Sequence, residues 1–75
     1  MNKDQFKGQW KQIEGEAKRA WGKLTDDDWE VAAGDVDKLA GRLQERYGDA
    51  KEVALDKIGK LYHRVTDAAN KVVKS

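Results

Sequence analysis

Apolar residues in the first third of the chain recur at steps of three and four: Phe6, Trp10, Ile13, Ala17, Trp21 and Leu24. That spacing lies on one face of a helix. The segment "LTDDDW" then stops and restarts the chain. Thr25 followed three residues later by Asp28 is a capping-box pattern, and Gly22 just before it suits a helix C-terminus. A second stripe runs through Trp29, Ala32 and Val36, then Leu39, Leu43 and Tyr47. Gly34 interrupts it early, which predicts a short helix ending near Ala33 and a separate one from Asp35. Gly48 closes that helix, and Asp49 with Glu52 signals another N-terminus. The last helix is carried by Ala54, Ile58, Leu61, Val65, Ala69 and Val72. Nothing reads as a strand.

The pattern repeats at an offset of 26 residues. Gly8, Gly15 and Gly22 fall on Gly34, Gly41 and Gly48, while Trp10, Ile13, Ala17 and Trp21 fall on Val36, Leu39, Leu43 and Tyr47. Past the turns, Trp29 falls on Leu55 and Ala32 on Ile58. This predicts one all-α domain over residues 1–75: two related helical hairpins at about 8–33 and 34–59, and a C-terminal helix extension at about 60–75. Each hairpin has one apolar face to bury against the other.

At about 100° per residue the glycines lie opposite the apolar stripes, not within them. Gly22, Gly48 and Gly34 suit helix ends. Gly8, Gly15 and Gly41 weaken the helices that hold them, since interior glycine costs about 1 kcal/mol relative to alanine. A close backbone approach at Gly15 and Gly41 is the alternative account.

Composition sharpens the class. Of 75 residues, 39% are charged, and the mean hydropathy is −0.94, close to that of disordered chains. Three Trp, two Tyr and one Phe argue against full disorder. There is no cysteine for a disulfide or thiolate metal site, and no proline to break long helices. The N-terminus lacks the apolar stretch of a secretory signal, so the cytoplasm is the expected location, an export route being the alternative. The net charge of +1 exerts no global pull on nucleic acid. An acidic band at 25–37 (Asp26, Asp27, Asp28, Glu30, Asp35, Asp37) separates two mildly basic regions.

Catalytic chemistry is hard to assemble from these residues. His63 is the lone histidine, on a polar flank of the last helix, and Ser75 is the lone serine. Thr25 and Thr66 have no base at a useful spacing, and no phosphate loop is present. "DDD" at 26–28 reads as helix capping; it lacks the alternating ligands and glycine of a calcium loop. No catalytic, cofactor-binding or metal residue is assigned, no cofactor is expected, and no small-molecule substrate is expected. Trp10, Trp21 and Trp29 read as core, a binding platform being the alternative, with one indole left half exposed. In "QERY", Tyr47 alone falls on the stripe, leaving Gln44, Glu45 and Arg46 at the surface. The last helix places Lys57, Lys60, Arg64, Lys71 and Lys74 within about 100° of one another, away from its apolar arc. This is a solvated face or a surface for anionic partners. Asp67 interrupts it.

"GQWKQIEG", "WGKLTDDD" and "LAGRLQERYGDA" resemble the CsbD-like family of small bacterial general-stress proteins, from Asn2 to about Lys51. The resemblance implies a four-helix fold of two hairpins packed crosswise with approximate internal duplication. It also implies a bacterial cytoplasmic protein linked to stress responses, without catalytic residues to carry over. The resemblance is not traced beyond about Val53, so it implies nothing for the C-terminal helix. The leading expectation is a monomeric, non-enzymatic stress protein, protective in a hydrophilin-like way. The alternative is a module binding nucleic acid or anionic membrane through the basic face of the last helix.

Overall fold

The computed structural model describes the backbone of residues 3–74 and the side chains of residues 3–67. Ala69 and Val72 of the apolar stripe, and Lys71 and Lys74 of the basic arc, therefore lie outside the described side chains. The elements are α1 (Lys3–Gly8), α2 (Trp10–Ala20), α3 (Asp26–Ala32), α4 (Val36–Tyr47) and α5 (Lys51–Lys74). The described residues hold helices, turns and loops, with no strand among them. α4 packs against both α3 and α5, and α2 packs against α5.

The first apolar stripe spans two helices. Gln9 leaves helical geometry at φ −107° and ψ 16°, yet its N–H still donates to the Gln5 carbonyl, and Ile13 N–H donates to the Gln9 carbonyl. Gly8, a weak helix former, immediately precedes this break. Phe6 and Trp10 still meet across it, with ring centroids 5.7 Å apart.

Local capping chemistry sets the other boundaries. Thr25 N–H donates to Asp28 Oδ2 at 2.9 Å and Asp28 N–H to Thr25 Oγ1 at 3.2 Å, so the expected capping box starts α3. Asp35 starts α4, accepting from the N–H groups of Asp37 and Lys38. Gly48 ends α4 in the left-handed conformation at φ 72°. At α5 the expected cap differs. Ala50 accepts the first helical bond, from Ala54 N–H, and the Asp49 carboxylate turns to Lys57 Nζ at 2.8 Å.

The stripes converge on one core. Ile13 and Ala17 of α2, Trp29 and Ala32 of α3, Leu39 and Leu43 of α4, and Ala54, Ile58, Leu61 and Val65 of α5 are all buried. Ala40 and Tyr62, off the stripes read from sequence, are buried as well. Trp10 and Tyr47 are partly buried against this cluster.

The glycines fall into two groups. A Cβ built on Gly15 or Gly41, both inside helices, meets nothing within 4 Å, which removes the close-approach account. Gly15→Ala and Gly41→Ala are each expected to stabilise the fold by about 0.4–1 kcal/mol. In a chain of this length that raises the melting temperature by several degrees; a lower melting temperature for either variant would refute the reading. Gly34 is the opposite case. It follows Ala33, itself left-handed at φ 41°, and has φ 86°. A Cβ there would sit 3.2 Å from Lys7 Cγ and 3.6 Å from Lys7 Cα. Gly34→Ala is expected to destabilise by about 1–2 kcal/mol from the backbone conformation alone, visible as a lowered thermal midpoint.

Candidate functional site

The basic arc of α5 is partly neutralised from within the molecule. Lys57 Nζ lies 2.8 Å from Asp49 Oδ2 and 5.9 Å from the Tyr47 ring centroid. Lys60 Nζ pairs with Asp56 Oδ2 at 3.2 Å, one turn earlier on the same helix. Arg64 is exposed and makes no ion pair among the described residues. Val53, 45% exposed, lies one turn before Lys57 on the same side. His63 is exposed beside Tyr62, with ring centroids 6.1 Å apart.

Aromatic side chains form a second feature. Tyr62 of α5, Phe6 of α1, Trp10 of α2 and Trp29 of α3 follow one another with centroid separations of 6.4, 5.7 and 6.1 Å. These are ordinary aromatic packing distances. Trp21 and Trp29 are buried, and Trp10 is the indole left partly exposed. It lines an open groove of about 520 Å³ between α2 and α3, together with Glu14, Lys18, Asp26, Trp29 and Glu30. Glu14 and Lys18 pair at 3.3 Å, whereas Asp26 and Glu30 have no side-chain partner among the described residues.

The third feature was not anticipated from the sequence. Asp28, read as a cap, is fully buried and also joins α3 to α4. Arg46 Nε donates to its Oδ2 at 2.9 Å and Arg46 Nη2 to its Oδ1 at 3.2 Å, while Arg42 Nε stands 3.6 Å from Oδ1. The Arg46 hydrogen bonds, then the Thr25 N–H, hold the Asp28 pKa at about 2, below its ordinary 3.8, against the opposing effect of burial. Arg46, taken from sequence as a surface residue, is thus exposed along its length but anchored at its head. Its spacing from Arg42, four residues on one helix face, was the available signal.

Among the described residues, no group of three or more His, Cys, Asp and Glu is arranged to hold a metal ion. No described helix is long and apolar enough to cross a membrane. The features on view are a small all-helical core, a densely charged surface and a half-open indole. The CsbD-like family model matches residues 4–56. The chain belongs to the CsbD-like family, which is associated with general stress responses. It is 63% identical over 54 residues to the UPF0337 protein ECA0631 of Pectobacterium atrosepticum, covering 72% of this chain and 78% of that one. It is 54% identical over 54 residues to the UPF0337 protein YjbJ of Escherichia coli K12, with the same coverage. A UPF0337 protein of Bordetella pertussis is 47% identical over 64 residues, covering 85% of this chain and 97% of its own. No solved structure matches the chain significantly.

Proposed function

We propose that this chain is a non-enzymatic stress protein of the cytoplasm that protects other macromolecules through weak, broad contacts. The observation that carries this reading is the open space around the helical glycines Gly15 and Gly41. Packing does not require glycine there, so the helices are held below the stability their positions allow. A labile helical scaffold with a densely charged surface suits shallow contact with many partners. The test is aggregation of an unrelated enzyme during heating or drying. Added protein is expected to preserve more activity than an equal mass of an inert globular protein, and the Gly15→Ala/Gly41→Ala double variant is expected to protect less. Equal protection by the inert protein would overturn the proposal.

The domain organisation proposed with it is two related hairpins at about 8–33 and 34–59, extended by 60–75. The 26-residue offset converts α2 into α4 and α3 into the start of α5. The contacts of α2 with α5 and of α4 with α3 interchange under that conversion, in favour of the reading, whereas the packing of α4 on α5 has no equally extensive counterpart between α2 and α3.

Arg64, without an ion pair among the described residues, shares a side of α5 with exposed Val53 and favours a second reading, binding of nucleic acid or anionic membrane by α5. A titration with DNA, RNA and anionic vesicles at low salt separates the two. Binding that falls steeply with salt and is lost in Arg64→Glu would support it; no binding at high micromolar protein would remove it.

A further inference from the structure

We propose that the groove between α2 and α3 is a binding site for an aliphatic polyamine. Its floor is aromatic: Trp10 is partly exposed there and Trp29 lies beneath, ring centroids 6.1 Å apart. An indole face attracts an organic cation placed within about 6 Å of it. Its rim is acidic. Glu14, Asp26 and Glu30 line it with one cation, Lys18, and Lys18 is already paired with Glu14 at 3.3 Å. Two carboxylates, those of Asp26 and Glu30, are therefore left without a partner among the described residues. They are four residues apart on α3, and such positions stand about 5–6 Å apart along a helix face. Ammonium groups separated by a few methylenes match that spacing, and the methylenes between them pack on the exposed part of the Trp10 indole as lysine stems do. The net charge of the groove, two negative, matches a diammonium ion. On the other flank of Trp10 a second groove is lined by Lys7, Lys11 and Gln12, so a cation is drawn to one side of the indole and repelled from the other.

The experiment is a titration of the intact protein at low salt with putrescine and spermidine, followed by tryptophan fluorescence and by amide NMR spectra. Butylamine serves as the single-charge control. A saturable response is expected, with amide shifts confined to α2 and α3 and with both polyamines binding more tightly than butylamine. Glu30→Gln, an exposed change on α3, is expected to weaken binding by up to about fivefold, the worth of one exposed ion pair. Trp10→Phe is expected to weaken it as well, because phenyl is a poorer cation acceptor than indole. Glu52→Gln, at the exposed start of α5, is expected to leave binding unchanged. No saturable response, shifts spread over the whole surface, or equal weakening by Glu30→Gln and Glu52→Gln would each overturn the site.

Discussion

Asp28→Ala is expected to destabilise the fold by about 2–4 kcal/mol, enough to leave a large fraction of the chain unfolded at room temperature. Two losses combine. Removing the capping-box side chain costs about 1 kcal/mol, and losing the charge-assisted hydrogen bonds from Arg46 costs about 1.5–3 kcal/mol. The upper end is tempered because the Arg46 side chain is 41% exposed and its freed head returns to water. A domain of this size holds only about 3–5 kcal/mol in total. Asp28→Asn keeps one oxygen to accept from the Thr25 N–H and Arg46 Nε but loses the charge and the acceptor for Arg46 Nη2, so it should fall between wild type and Asp28→Ala in a urea titration. If Asp28→Ala unfolds at the wild-type midpoint, the link between α3 and α4 contributes nothing.

The same residue makes stability depend on pH. Its folded pKa is about 2, against an ordinary 3.8. A depressed carboxylate pKa means that the unfolded chain takes up the proton first. The stabilisation is therefore complete above about pH 5 and is lost as pH falls from the ordinary value through the folded one. A difference of just under two units corresponds to about 2 kcal/mol. Urea midpoints measured between pH 5 and pH 2 should fall for wild type, and fall less for Asp28→Asn. Parallel profiles would show that other carboxylates carry the acid response.

Phe6→Ala should be at least as damaging, at about 3–5 kcal/mol. Phe6 is fully buried although it belongs to a helix of six residues. Its ring lies between Trp10 and Tyr62, with centroids 5.7 and 6.4 Å away, and so ties α1 to both α2 and α5. A six-residue helix has no stability of its own. Removing the ring should release α1 and open the core beneath Tyr62. Loss of the cooperative thermal transition in circular dichroism is the expected result. Phe6→Leu should recover most of it, because it keeps an apolar side chain at the site. A variant melting within a few degrees of wild type would mean that the core closes without α1.

What the sequence alone determined was local and periodic. The steps of three and four from Phe6 to Leu24, from Trp29 to Tyr47 and from Ala54 to Val65 named nearly all the buried apolar positions, Ala40 and Tyr62 excepted, because a helix turns by a constant angle and carries its neighbours with it. Thr25 with Asp28, and Gly48 at a helix end, were legible for the same reason: a cap is an interaction over three or four residues. The tertiary structure alone decided which elements meet. Asp28 and Arg46 are 18 residues apart, and only the packing of α3 on α4 brings them to 2.9 Å. Gly34 could be read as a helix end, but not as a place where Lys7 of α1 closes to 3.2 Å of an added Cβ. Lys57 was legible as a basic surface residue, yet its pairing with Asp49 depended on where the turn before α5 places that carboxylate. Trp10, Trp21 and Trp29 carried the same periodic signal. Which indole stayed partly open was set by the space between α2 and α3, a distance between elements that no spacing along one helix encodes.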